Sequence, residues 1–319
     1  MNEADRQKHD AFEAAHKDDD QFIAELEALL SEPNSAPAAD QPPEPEKAKP
    51  QPPAPQKKKH RKILFYSLLG VFSAVFLFSV VYLAQYLIRQ ARDEGNYDKL
   101  SGIVESIQNS PTEPPATGDP YADPTEPQIL PEYLPLYEMN NDMVGWIKIE
   151  GTNIHYPVMQ TPDRPDYYLD KNFNKQTSKA GAIYVREACD VFKPSDNVVI
   201  YGHFISSGQQ MFTHLHKYIR KAFWQDNQYI TFDTLYEHHT YQVFAVFKTS
   251  GTPGVGYPYH RFNEALDKED FDKFIQNVKS LSFYNTGITP QYGDKLITLS
   301  TCEYTQENGR LVVVAVQVS

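Results

Sequence analysis

A chain of 319 residues, 40% of them hydrophobic, is long enough for one or two domains, although long polar stretches rich in its 24 prolines cannot pack a core. Its formal net charge of −12 argues against nucleic acid as a general partner. Two cysteines are too few for a disulfide framework.

Taken in order, residues 1–32 are acidic. They hold one short amphipathic stripe over 20–30, formed by Phe22, Ile23, Leu26, Leu29 and Leu30. It reads as an inert tail, with a docking role as the alternative. Residues 33–56 are crowded with Pro, Ala, Glu and Gln, the composition of an extended spacer. The basic run Lys57-Lys58-Lys59-His60-Arg61-Lys62 closes this tail of residues 1–62. Residues 63–88 follow as an apolar segment with no charge before Arg89. Crossing a bilayer as helix takes about 20 apolar residues, so this segment suffices. Lys and Arg concentrate on the cytoplasmic flank, which places the tail inside and the remainder outside. A removable signal peptide fits poorly, because the run lies far from the N-terminus and exceeds the usual apolar length of about 7–15 residues. A nucleic-acid patch is the other reading of the basic run; its junction with the apolar span favours topology.

Residues 89–128 read as a linker: a polar stretch to about Ile107 that could extend the helix, then a Pro, Thr and Glu spacer over 109–128. The folded domain covers 129–319 and opens with a short packing helix around Leu134, Leu136, Tyr137 and Met139. Strands are predicted over 143–150, 154–159, 181–185, 197–201, 229–233, 241–247, 295–301 and 310–318, from runs of β-branched and aromatic residues. One helix is predicted between the sixth and seventh, over 263–280, with Leu266, Phe271, Phe274, Ile275 and Val278 near helical spacing. The fold class is therefore mainly β. It is an eight-stranded barrel with an N-terminal helical region and one long helix, preceded by a transmembrane helix.

The chemistry centres on Leu296-Ile297-Thr298-Leu299-Ser300-Thr301-Cys302. The polar residues 305–309 form a turn, so Cys302 ends one strand and Arg310 begins the next. A thiol attacks only as thiolate, and a neighbouring cation or imidazolium favours that form. His203 is the matching histidine, just past the apolar run 197–201, with Gly202 supplying the turn. Nucleophile, proton-transfer partner and oxyanion stabiliser then stand at three strand ends. Singly, each has a plainer explanation: a packed thiol, a surface charge, a loop histidine. Cys189, without such neighbours, reads as an ordinary packed thiol, and a Cys189–Cys302 disulfide would abolish the chemistry. His214, His216, His238 and His239 read as surface or satisfied polar residues, lacking a third ligand at zinc spacing. No metal and no cofactor are expected.

Thr298-Leu299-Ser300-Thr301-Cys302 matches the TLxTC signature of sortases, the cysteine transpeptidases of Gram-positive cell surfaces. Tyr201-Gly202-His203 and Gly309-Arg310 stand where that family keeps its histidine and arginine. The long helix before the seventh strand and the helical region before the first resemble class B in particular. The resemblance implies a β-barrel in which Cys302 attacks the carbonyl of a threonine within a C-terminal sorting signal of a surface protein. His203 protonates the leaving amine, and Arg310, with the Glu303 backbone N–H, stabilises the oxyanion. It implies that an amine of a peptidoglycan cross-bridge, or of its lipid-linked precursor, resolves the thioacyl intermediate. Ser300, Thr301 and Glu303 would line the site, and Leu169 and Tyr284 the peptide groove. Two departures stand out: Phe204, where Asn often follows the histidine, and a short loop between Cys302 and Arg310. The order of His before Cys excludes a papain-like protease, and neither caspase-type nor L,D-transpeptidase-type runs surround Cys302. The alternatives are a pilin polymerase whose amine is a lysine, and a non-catalytic membrane-tethered binding domain. The sorting pentapeptide, of the Asn-Pro-x-Thr kind or a variant, stays open.

Overall fold

The computed structural model describes residues 57–110, 127–205 and 208–319. The stripe over 20–30, the spacer over 33–56 and most of the spacer over 109–128 lie outside them. The barrel and the helices packed on it belong to the second of two compact units, Leu68–Ser319.

The first helix among the described residues, α1 (Lys57–Gln108), has two unlike parts. Apolar side chains including Phe65, Phe72, Phe76, Phe78, Leu83 and Leu87 are exposed along its first part. It is the one helix among the described residues long and apolar enough to cross a membrane. The polar stretch after residue 89 stays helical, and there Tyr97, Leu100 and Val104 are buried. Their spacing puts them on one face, which packs on the barrel. The Tyr97 hydroxyl donates to the Gly181 carbonyl (3.1 Å). The Asp93 carboxylate accepts from Asn172 Nδ2 (2.9 Å) and Ser178 Oγ (2.7 Å).

A short helix, α2 (Leu134–Met139), buries Leu136 and leaves Met139 exposed. Eight strands follow: β1 (Met143–Lys148), β2 (His155–Met159), β3 (Ile183–Val185), β4 (Asn197–Tyr201), β5 (Tyr229–Thr234), β6 (Thr240–Ser250), β7 (Leu296–Glu303) and β8 (Gly309–Gln317). They close a barrel in the order β1-β2-β3-β4-β7-β8-β6-β5. Closure leaves no unpaired sheet edge. The pairs β2–β3 and β4–β7 are parallel, and the other six are antiparallel.

Strand placement agrees with the hydrophobic pattern, and β4 does so to the residue. The helical prediction over 263–280 needs correcting at its start. Helix α4 (Lys268–Leu281) begins after Asp267, whose side chain caps it by accepting from the Asp270 N–H (2.9 Å). Glu269 and Asp270 suit the positive end of the helix dipole. Phe271, Phe274, Ile275 and Val278 form the buried stripe, while Leu266 precedes the cap and is 91% exposed. The region between β4 and β5 also holds helical turns that the sequence reading passed over. These are a 3₁₀ turn, Thr213–Ile219, and α3 (Lys221–Asp226), whose Trp224 donates to the Val243 carbonyl (3.0 Å).

Candidate active site

Two strand pairings bring the three expected groups to one end of the barrel. Parallel β4 and β7 match Tyr201 with Ser300, and the Gly202 N–H continues the pairing to the Ser300 carbonyl (3.1 Å). His203 and Cys302 each lie two residues beyond that matched pair. Antiparallel β7 and β8 then set Cys302 directly opposite Arg310. Directly opposed residues hold their Cβ atoms about 4.5–5.5 Å apart on one face of the sheet. The strand ladder runs through Cys302 to Glu303, two residues beyond the predicted end at residue 301.

The register is pinned by the motif itself. Thr298, fully buried, donates through Oγ1 to Asn197 Oδ1 (2.7 Å), and Asn197 Nδ2 donates to the Phe262 carbonyl (2.7 Å). Such a bond fixes β7 against β4 and resists a slip that would turn Cys302 to the other face. Ser300 is buried with its hydroxyl 2.6 Å from that of Tyr259. Thr301 is buried as well, and its hydroxyl has no partner among the described residues.

These groups border a cleft of about 430 Å³, whose walls include Leu169, Tyr184, Arg186, His203, Tyr259, His260, Ser300, Thr301, Cys302 and Arg310. The Cys302 side is half-buried. His203 places Nε2 2.7 Å from the Leu169 carbonyl oxygen. A carbonyl can only accept, so Nε2 carries a proton and Nδ1 is the nitrogen left to exchange one. Gly202 and Gly181 make room for this arrangement. A Cβ on Gly202 would meet Ile183 Cδ1 at 2.5 Å, and one on Gly181, whose φ is +60°, would meet the Leu169 carbonyl at 2.6 Å. The guanidinium of Arg310 donates through one Nη to the carbonyls of Gly309 (2.9 Å) and Asn308 (3.3 Å), which ties it to its own turn. Burial, and then the cations of Arg186, Arg261 and Arg310, push His260 below the usual histidine range, so its ring is neutral at neutral pH. Burial pushes the Tyr259 hydroxyl up, so it stays a neutral hydrogen-bonding group against Ser300.

The structure thus collects His203, Cys302, Arg310, Ser300, Thr301 and Leu169 at one cleft. Leu169 takes part through its backbone carbonyl, while its side chain is 47% exposed. Glu303 turns away: its carboxylate binds Lys248 Nζ (2.8 Å) and Thr305 Oγ1 (2.7 Å) and braces the turn after β7. Burial would raise this carboxyl, but the Lys248 and Thr305 bonds hold it below its ordinary value. Tyr284 does not reach the cleft walls. Its ring packs against Trp224 (5.6 Å) and its hydroxyl donates to the Tyr218 carbonyl (2.8 Å).

Tyr259, His260 and Arg186 also line the cleft, and no sequence motif marks them. His216, read as a satisfied polar side chain, has its Nε2 3.0 Å from the carbonyl oxygen of Cys302. No spacing rule links residues 86 positions apart, so only the fold could supply that contact. Both cysteines are free thiols. A separate cavity of about 280 Å³, bordered by Tyr82, Tyr86, Lys179 and Ile205, contains none of the three groups.

With this geometry in view, the comparisons with known proteins are specific. The family model described as the Sortase domain matches residues 147–318. Sortase B of Staphylococcus aureus is 29% identical over 250 residues, covering 78% of this chain and 93% of its own. Sortase B of Listeria monocytogenes is 32% identical over 188 residues, covering 58% of this chain and 74% of its own. The solved Staphylococcus aureus sortase B–substrate complex superimposes with a TM-score of 0.62 at 27% identity, over 73% of this chain and 99% of that one.

Proposed function

The chain belongs to the sortase family, and from that premise we propose that it is a membrane-anchored enzyme joining surface proteins to a cell-wall amine. Its relatives are class B sortases, and sortases are cysteine transpeptidases that act on sorting-signal substrates and amine acceptors. The observation that carries the reading is the meeting of three strand ends: Cys302 opposite Arg310, with His203 at the matching position beyond β4.

Cys302, as thiolate, attacks the carbonyl carbon of the threonine in a sorting signal lying in the cleft. The carbonyl oxygen gathers negative charge, and the Arg310 guanidinium, held over its turn by two backbone carbonyls, donates to it. His203, its ring oriented by the Leu169 carbonyl, gives a proton to the leaving amine as the C–N bond breaks. The enzyme is left as a thioester. An incoming amine from a peptidoglycan cross-bridge or its lipid-linked precursor attacks that thioester, loses a proton to His203, and frees Cys302. Ser300 and Thr301 hold the floor beneath the thiol, Ser300 through Tyr259.

Residues 63–88 serve as the anchor, 1–62 as a cytoplasmic tail and 129–319 as the body of the catalytic domain outside the membrane; of the connection 89–128, Asp93, Tyr97, Leu100 and Val104 pack on that domain. The exposed apolar first part of helix α1 supports the anchor, as does the basic run at its start. The test is cleavage of a panel of quenched Asn-Pro-x-Thr peptides by the full chain in detergent, with and without an added glycine-type amine. Cleavage that yields the amine-joined product supports transpeptidation; an amine that leaves the product unchanged argues for hydrolysis alone.

A further inference from the structure

The imidazole of His216 lies on the 3₁₀ turn Thr213–Ile219 and reaches the main chain of the nucleophile. Because a carbonyl oxygen only accepts, Nε2 must be protonated and donating across the 3.0 Å to the Cys302 oxygen. The ring is fixed from the side as well. Phe204 lies 4.4 Å away centroid to centroid, and Phe204 in turn meets the edge of Tyr304 at 5.6 Å. Phe204 follows His203 directly, and Tyr304 stands two residues beyond Cys302. One imidazole is therefore connected to both chain segments that carry the proposed proton-transfer group and nucleophile. His214 offers the contrast: its Nδ1 accepts the Asn153 N–H (2.9 Å), its Nε2 meets Gln209 Oε1 (3.1 Å), and neither touches the cleft.

We propose that His216 is a positioning residue for Cys302. Its Nε2–H bond, with the ring held by Phe204, fixes the peptide plane that follows the thiol, near the point where β7 gives way to the turn. Rotation of that plane would swing Sγ relative to His203 and Arg310. Misplacement by about 1 Å in an attacking group costs roughly a hundredfold in rate, so partial loosening has a readable effect. The ring does not enter the proton transfers; it sets the aim of the group that does.

The inference rests on the proposed role of Cys302, and the experiment keeps the two apart. Single-turnover acylation of the full chain in detergent is followed by intact mass with a cleavable Asn-Pro-x-Thr peptide. Alkylation of Cys302 by iodoacetamide is timed alongside. His216→Ala should acylate about tenfold more slowly, with half-saturation by peptide and the alkylation rate each within about twofold of wild type. His216→Gln keeps an N–H donor at similar reach and should recover to within about threefold. If His216→Ala does not fold, His216→Met, which fills the space without donating, takes its place against His216→Gln. The proposal is overturned if the non-donating variant acylates at the wild-type rate. It is also overturned if His216→Gln is as slow as the non-donor, since the ring's packing and not its donor would then matter. A wild-type chain that forms no thioester overturns the functional reading and this inference together.

Discussion

The surroundings of the two cysteines differ far more than the residue type suggests. Cys189 is 5% exposed, with Sγ 3.5 Å from the Asn197 carbonyl and 3.4 Å from the Val199 N–H that it accepts. Burial pushes its thiol up, away from the reactive thiolate. Cys302 is half-buried in a cleft wall, opposite a guanidinium and at the strand end shared with a histidine. Both lie next to β4: one packs against its first residues and the other lies beyond its last. A thiol becomes a nucleophile through its neighbours and access, and a single barrel holds both kinds of surroundings.

The largest expected effect breaks that comparison outright. Cys302→Ala should lower peptide cleavage by at least about a thousandfold, whereas Cys189→Ala should stay within about twofold, as initial rates would show. A loss of similar size from both would mean that the chemistry had been assigned to the wrong environment. Next comes Arg310→Lys. It keeps the charge but loses the planar fork, and should cost about a hundredfold in kcat with less change in KM. The pairing of Cys302 with Arg310 makes this the sharpest test of the charged neighbour.

Smaller effects fall on stability. Glu303→Gln removes the carboxylate that Lys248 and Thr305 bind behind Cys302, and should cost about 1–3 kcal/mol by denaturant melts. The folded carboxyl lies below its ordinary value. Its stabilisation is thus complete above an unfolded value of about 4.3 and drains away as pH falls through the folded one. The variant should flatten the acid limb of stability against pH. Cys189 acts at the other end. Its folded value is raised, so its contribution is whole below the unfolded value of about 8.5 and is lost as pH rises through the folded one. Wild type should lose at most about 1.4 kcal/mol per pH unit from this source, and Cys189→Ala should lose none of it.

Much of the frame was readable from residue pattern alone. The β-branched runs located all eight strands, because alternation and apolar continuity report burial directly. The motif order pointed to His203, Cys302 and Arg310, and the structure brings them to one cleft. Long-range pairing was not readable. Nothing in residues 197–201 says that they lie parallel to β7, a choice settled by closure of the barrel. Leu266 fits the helical period and draws the predicted start of α4 forward, while the Asp267 cap decides the boundary. Tyr284 is expected at the groove from the family resemblance alone, and the structure sets its ring against Trp224. The contacts of Tyr259 and His216 are not legible in the sequence because their partners, Ser300 and Cys302, both lie on β7, far along the chain.

The most direct measurement is a peptide map of the trapped intermediate. The full chain is mixed with a cleavable sorting peptide without amine, quenched in acid, digested and sequenced by mass spectrometry. The account predicts one thioester adduct, carried by the fragment containing Cys302, with the Cys189 fragment unmodified and no adduct in Cys302→Ala. An adduct on Cys189, or cleavage that persists in Cys302→Ala, would contradict it.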